Sequence, residues 1–409
     1  MLAAAVALAT VLGGCTSPSV PLAQTTVGPL VLGTLLPITG AFGHVGPAQE
    51  AGLQLAVKDV NAAGGVLGQP LTVLDSDSGD SFTAVASQSV DRMLARHVDV
   101  IVGATGSSVT LTVIDKIVGA GVAMLSPGDA SAQLTGYHDR GLYARIVPPD
   151  SFEASTMAAQ LIAAGHRDVA VLYERDPYAT GYATRLQSDL VARGGRVAAA
   201  VEYDGRSTDF SGAAAQVAAT APQAVVVIGT GEAHSLVRAL VKAGAGPDLV
   251  PLYVSDLALW PGLAQGLNPA QSVGIVGIRP GAAPTVGFLN RLATQSPNLT
   301  DVGYAAQTYD AVVLAALAAS AAHSVRGADI AAALPALTSG AIACTTYKDC
   351  LALLLAGQTV SYVGQAGAVR LDAAGDAVTG TVGIYRFRAD GTYPPVGTYV
   401  SGTFPPGTG

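Results

Sequence analysis

From Val27 onward, short apolar runs alternate with longer amphipathic stretches, and that rhythm leaves few folds open. Leu30–Leu36, Leu71–Asp75, Val98–Gly103 and Val122–Ser126 have the length and aliphatic content of buried strands. Between them, Ala48–Asn61 places Leu53, Ala56, Val57 and Val60 on one helical face, and Gly64-Gly65 stops it. Phe82–Arg96, with Phe82, Val85, Val90 and Met93 turned inward, and Ser107–Ala120 supply two more helices. The result is a βαβαβαβ unit, which predicts a parallel sheet covered on both faces. Leu142–Val147 then leads into the same pattern again. Helices are predicted at Ser151–Ala164, Tyr178–Arg193, Asp209–Thr220 and Glu232–Ala243. Strands are predicted at Asp168–Tyr173, Arg196–Tyr203, Ala224–Gly229, Val250–Val254 and Val273–Ile278. Two similar α/β units in succession predict two lobes, and 409 residues are enough for both. Tyr304–Ala322 reads as an Ala-rich helix, too short in its apolar part to span a membrane and suited to a buried core. A last strand near Thr381 is followed by a turn at Ala389-Asp390-Gly391 and a Pro/Gly/Thr end, residues 399–409, expected to be a flexible tail.

Composition narrows the function. Hydrophobic residues are 50% and charged residues 12%, so large cores can form and global disorder is excluded. The positive mean hydropathy of +0.44 does not imply a spanning segment. Beyond the first 14 residues no run approaches about 18 uninterrupted apolar residues. The net charge is −8 and no Lys/Arg cluster occurs, which argues against nucleic-acid binding. Enzyme signatures are missing too: the chain has no G-x-S-x-G elbow and no Walker A sequence, and Gly229-Thr230-Gly231 lacks the third Gly of a dinucleotide fingerprint. The six histidines have no metal-ligand spacing, and Asp75, Asp77 and Asp80 lack the ligand pattern of a calcium loop. No catalytic residue, cofactor or metal is therefore expected.

Cys15 follows Leu12-Gly13-Gly14 behind an Ala/Val/Leu stretch. This looks like the lipobox of bacterial lipoproteins, which implies a signal peptide over 1–14, a lipid on Cys15 and a tether over 15–28. An export signal with an incidental Cys, or an N-terminal strand, are the alternatives. No Lys or Arg precedes the apolar stretch, unlike an ordinary export signal, and a start annotated too late would explain that. The remaining pair, Cys344 and Cys350, is expected to form a local disulfide in an oxidising compartment.

Several segments then stand in a telling order: Leu36-Pro37-Ile38-Thr39-Gly40, Asn61-Ala62-Ala63-Gly64-Gly65-Val66-Leu67-Gly68, Gly103-Ala104-Thr105-Gly106-Ser107-Ser108, Ser126-Pro127-Gly128, Asp209-Phe210, Tyr309-Asp310-Ala311 and Asp372 to Asp376. Over roughly residues 29–395 the chain resembles the solute-binding proteins of branched-chain amino-acid (Leu/Ile/Val) ABC importers. The resemblance implies the type I periplasmic binding protein fold, two Rossmann-like lobes with parallel-sheet cores joined by three hinge crossovers. Lobe 1 would be 29–148 plus 279–376, and lobe 2 149–278 plus 377–398, with crossings near Val147, Ile278 and Thr381. It also implies a lipid-anchored, exported receptor, monomeric, that delivers a small amino acid to a membrane permease. A same-fold receptor for an amide, urea or aromatic acid, or a sensory protein, is the alternative.

Candidate ligand residues follow from that resemblance and from local chemistry. The small residues at Gly103–Ser108 open a helix whose positive end favours an anion, and Ser107 or Ser108 can cap it. The resemblance maps the ligand carboxylate to Ser107 and Ser108. Gly128 and Ala130 stand where the family offers a carbonyl and a Thr hydroxyl, with Ser131 or Asp129 as substitutes for the missing hydroxyl. Tyr178, Thr230 and Gly231 are expected to reach the ligand from lobe 2, and Asp256 to hold its ammonium by a charge-assisted hydrogen bond. Val45 stands where an aromatic is common, with Phe42 and His44 nearby. Tyr309-Asp310 is expected to serve structure.

Overall fold

The computed structural model describes residues 28–404. Cys15, the expected signal peptide, most of the tether and the last five residues of the tail lie outside the described residues. The first unit contains β1 (Val31–Leu35), α1 (Gly46–Ala62), β2 (Thr72–Leu74), α2 (Val85–Ala95), β3 (Val100–Gly103), α3 (Ser107–Gly119), β4 (Ala123–Ser126) and β5 (Tyr143–Arg145). Its strands pair in parallel in the order β2-β1-β3-β4-β5. Helices cover both faces, so every residue of β3 and β4 is buried, which is why those strands read as unbroken apolar runs.

The second unit contains α4 (Asp150–Ala163), β6 (Asp168–Glu174), α5 (Pro177–Ala192), β7 (Arg196–Tyr203), α6 (Ser211–Ala218), β8 (Ala224–Ile228), α7 (Ala233–Lys242), β9 (Leu252–Val254), α8 (Pro269–Ser272) and β10 (Val276–Pro280). The chain then returns to the first unit through α9 (Val286–Gln295), α10 (Ala305–Ala322), α11 (Gly327–Leu337), β11 (Ile342–Cys344), α12 (Tyr347–Leu355), β12 (Val360–Gly364) and β13 (Gly367–Ala368). It ends with β14 (Arg370–Leu371), β15 (Ala377–Arg386) and β16 (Pro395–Thr403). The second sheet runs β14-β15-β10-β9-β8-β6-β7, with β16 on β15. Strands β6 to β10 are parallel, whereas β15 is antiparallel to β10 and to β16.

Core membership locates the three crossings. Ile146 packs in the core of lobe 1 and Ala154 in that of lobe 2. Ile278 on β10 belongs to lobe 2 and Phe288 on α9 to lobe 1. On β15, Ala377 packs in lobe 1, whereas Val382 and Ile384 pack in lobe 2. The last two crossings are tied together where the Gly281 N–H donates to the Thr381 carbonyl. Helix α10 is apolar all round because it is buried from Ala305 to Ser320. It is long and apolar enough to cross a membrane, yet 89% of it is buried inside the protein. Gly52 lets α1 approach α10 closely, since a Cβ there would collide with the Ala305 backbone.

Two expectations need correction. Residues 399–403 are no flexible tail: they belong to β16, whose antiparallel pairing with β15 satisfies their backbone, and Phe404 beyond them is buried against Phe152. Phe82 is not inward but half exposed, because α2 starts three residues later, at Val85; instead the Arg206 guanidinium of lobe 2 sits over its ring at 5.1 Å. Residues 327–368 form two helices and a small sheet in the order β11-β12-β13. The Cys344–Cys350 disulfide joins β11 to α12 there.

Candidate functional site

The two lobes meet at loops that follow the carboxyl ends of strands in both sheets: His44 reaches the Leu257 carbonyl, and Gly231 lies against the Ala41 carbonyl. After β3 the chain turns at Gly103–Gly106 and opens α3 at Ser107. The N-cap is Gly106, so neither Ser107 nor Ser108 caps the helix from outside, as the sequence had suggested; both are its first helical residues. No side chain caps the leading N–H groups, which leaves the positive end of α3 open to an anion. The Phe42 ring lies directly over Gly106, where a Cβ would come within 2.7 Å of it. Ser107 Oγ accepts the N–H groups of Ala130 and Ser131, both at 3.1 Å, and so fixes the loop after β4 beside α3. Its hydroxyl hydrogen is left for another acceptor. Ser108 is buried next to it.

That loop is less available than the sequence implied. The Gly128 N–H donates to Ser126 Oγ at 3.1 Å, and a Cβ on Gly128 would meet Thr105 at 2.7 Å. The Ala130 carbonyl already accepts the Asp150 N–H, and its methyl packs in the lobe 2 core. Ser131 Oγ accepts the Gln133 N–H to start a 3-10 turn. Asp129 Oδ2 accepts the Thr110 and Tyr143 hydroxyls inside lobe 1. Asp129 is thus committed to lobe 1, whereas the Ser131 hydroxyl hydrogen, like that of Ser107, is left for another acceptor. Val45 is buried in the lobe 1 core, and Phe42 is the aromatic that the loop presents.

Lobe 2 contributes the polar counterpart. Asp176 caps α5 by accepting the Ala179 N–H, and this start directs the buried Tyr178 toward Asp256. Asp256 follows β9 and is 2% exposed. Tyr178 donates to its Oδ1, and Tyr304, from the start of α10 in lobe 1, donates to its Oδ2. Leu257, the next residue, packs in the lobe 1 core. Thr230 donates through both its N–H and its hydroxyl to Glu232, which also accepts the Tyr203 hydroxyl. Gly231 lies against the Ala41 carbonyl, where a Cβ would come within 2.8 Å. His44 bridges the lobes: its Nε2 is 3.0 Å from the Leu257 carbonyl and its ring stacks on Trp260. Burial lowers its pKa. These contacts hold the two lobes together over the cleft.

Behind Asp256 lie further buried acids that the sequence reading did not single out. Glu153 on α4 is completely buried, and neither of its carboxyl oxygens has a hydrogen-bond partner. Burial, Asp256 and Asp150 push its pKa well up. Asp150, pushed up to about 7 chiefly by burial, leaves Oδ2 without a partner. The buried Tyr182 hydroxyl is also unpartnered and feels Glu153, Asp256 and Asp150. Burial likewise raises Asp256, against the hydroxyls of Tyr178 and Tyr304. Spacing was the available signal: Asp150 and Glu153 are three apart on one helix, and Tyr178 and Tyr182 four apart on another, so each pair shares a face.

Tyr309 and Asp310 serve structure as expected. Tyr309 donates to Asp59, and Asp310 accepts the Tyr362 hydroxyl and two backbone N–H groups. A separate groove of about 420 Å³ flanks Tyr304 and is walled by Arg279, Asp301, Tyr385 and Tyr393. Among the described residues no group of three or more His, Cys, Asp or Glu has a geometry suited to a metal ion.

Comparison with known proteins fits this geometry. A family model described as periplasmic binding protein matches residues 29–347. The chemotactic signal transduction system substrate-binding protein BasB of Halobacterium salinarum is 28% identical over 370 residues, covering 86% of each chain. Among solved structures, the branched-chain amino acid transporter substrate-binding protein LivJ of Streptococcus pneumoniae, in complex with isoleucine, superposes with a TM-score of 0.74. It is 22% identical, with 92% of this chain and 99% of that one covered. A solute-binding protein of an R. palustris ABC transporter, in complex with 4-hydroxybenzoate, has a TM-score of 0.76 at 15% identity, covering 92% and 98%. At these identities the two structures show a shared fold.

Proposed function

The chain belongs to the periplasmic binding protein family, and from that premise we propose that it is an extracytoplasmic solute receptor of an ABC importer. Its ligand is a small amino acid of the branched-chain kind, captured between lobes 29–148 plus 279–376 and 149–278 plus 377–404. One observation carries this reading: the cleft is bipolar. The open positive end of α3, with Ser107 and Ser108, suits a carboxylate. Asp256, oriented by the Tyr178 and Tyr304 hydroxyls, suits an ammonium. A zwitterion matches both ends at once. Thr230, Gly231 and the Phe42 loop form the walls between them.

Mechanism follows from this division of labour. A ligand touching both ends gains its full contacts only when the lobes are together, so binding shifts the population toward the closed form. That form then presents a joint surface to a membrane permease. Lipidation of Cys15 is the proposed tether, and a monomer suits the shuttle. A sensory role is the second reading, favoured by the chemotaxis relative that spans 86% of both chains.

The test is a thermal-shift panel on protein unfolded and refolded to strip carried-over ligand. Leucine, isoleucine and valine are compared with short amides, urea and aromatic acids. At about one hundred times its Kd a ligand adds about 2.7 kcal/mol, which moves Tm by a few degrees. A shift with none of the amino acids would defeat the proposal.

A further inference from the structure

Glu153 is hard to explain as a packing residue. A carboxyl group removed from water needs a donor or a cation, and lacking either costs more than its burial returns. Glu153 has neither: both oxygens are unpartnered, and the charged groups that act on it, Asp256 and Asp150, are also acids. The Tyr182 hydroxyl, fully buried on a different helix, is unpartnered in the same place, as is Asp150 Oδ2. Asp256 differs, since two tyrosine hydroxyls already satisfy it from opposite lobes. This cluster of buried groups thus holds more acceptor capacity than the protein fills, spread over α4, α5 and the loop after β9. Tyr304 of lobe 1 donates its hydroxyl to Asp256, so this cluster adjoins the junction of the lobes.

We infer that Glu153 is a ligand-binding residue, and that with Asp256 it holds a cationic nitrogen of the ligand, with the unpartnered Tyr182 hydroxyl accepting beside it. The inference rests on the cleft-receptor reading above and deepens it, because it makes a positive charge obligatory. Amino acids and other small ammonium compounds qualify. Purely anionic ligands such as benzoate or 4-methylpentanoate do not, since each would leave the acids of the pocket uncompensated. Asp256 fixes the nitrogen between the two tyrosines, and Glu153 supplies the charge that pays for its desolvation.

The test uses the purified full-length chain and isothermal titration calorimetry. One set of probes carries a cationic nitrogen: leucine, isoleucine, valine, alanine, arginine and putrescine. The other set lacks it: 4-methylpentanoate, benzoate, 4-hydroxybenzoate and urea. Binding is expected only within the first set. Glu153→Gln, which keeps shape and removes charge, is expected to weaken the best binder about 10- to 100-fold, the range of a lost hydrogen bond to a charged group. Glu153→Asp, which keeps the charge, should retain more affinity than Glu153→Gln, and Tm of each variant reports that it is folded. An unchanged Kd in folded Glu153→Gln overturns the inference and leaves the receptor reading intact. Tight binding of benzoate or 4-methylpentanoate with no binder in the first set overturns both the inference and the amino-acid reading, and keeps only a receptor for another solute. Failure of every probe in both sets overturns both readings.

Discussion

Tyr304→Phe isolates the one hydrogen bond that spans the cleft between Asp256 and lobe 1. Tyr304 is 1% exposed and donates to Asp256 Oδ2, while Asp256 is 2% exposed on the other lobe. Phe retains the ring and the buried area. It also retains the left-handed backbone of Tyr304, φ 63°, so that cost does not change between the two proteins. What disappears is one hydroxyl donated to a buried carboxylate, worth about 1.5–3 kcal/mol. Tyr178 still donates to Oδ1, which places the expected loss toward the lower end. If the bond forms only when the lobes meet, the whole loss falls on closure. At about 1.4 kcal/mol per factor of ten, the closed population then falls about tenfold relative to the open one, and the apparent Kd rises by a like factor. Fluorescence transfer between dyes on the two lobes reads the population, and calorimetry reads Kd. Urea unfolding of lobe 1 should hardly change. A Kd and an open/closed ratio both equal to wild type would refute the reasoning, because the hydroxyl would then be equally satisfied in the open form.

Three other perturbations have definite outcomes. Arg145 is 2% exposed and pairs with Asp376 at 2.8 Å while its Nη1 donates to the Ser131 carbonyl, so Arg145→Met strands a buried carboxylate. The expected cost is about 3–5 kcal/mol in urea unfolding, and a midpoint shift equivalent to less than 1 kcal/mol would contradict it. Burial pushes Asp129 up to about 6 from 3.8, so the folded state holds its proton longer than the unfolded chain does. Its contribution to stability is complete below about pH 4 and is lost as pH rises toward 6, and Asp129→Asn should flatten that part of a Tm-against-pH curve. Reducing Cys344–Cys350 opens a short loop on β11 and α12, away from the cleft. It should cost about 2 kcal/mol of stability while ligand Kd stays the same; a changed Kd would link the bridge to the site.

How much of this was legible depended on distance along the chain. The strand and helix pattern of both lobes is local information, carried by periods of about 2 and 3.6 residues. Arg196–Tyr203 was read to the residue although it is an edge strand in which only Val201 and Tyr203 are buried, because Gly194-Gly195 marks where the preceding helix has ended. The places of Ser107, Tyr178 and Asp256 in the fold were legible because each begins or follows a regular element at the carboxyl end of a strand. The tail was misread because its Pro, Gly and Thr content signals looseness, while its order comes from pairing with β15, which no local pattern records. Phe82 was misread because its helical spacing was right but the helix starts after it.

The amino-acid order by itself determined two α/β units, a core helix at 305–322 and an anion-ready turn before α3, since each follows from neighbours within a few turns or strands. Only the tertiary structure decided that Glu153, Tyr178, Tyr182, Asp256 and Tyr304 come together as one buried cluster. They arrive there on four separate elements from two lobes, and three crossings of the chain bring them together. The cost of an unpaired buried carboxylate is a property of its surroundings, and those surroundings are assembled by packing rather than by sequence proximity.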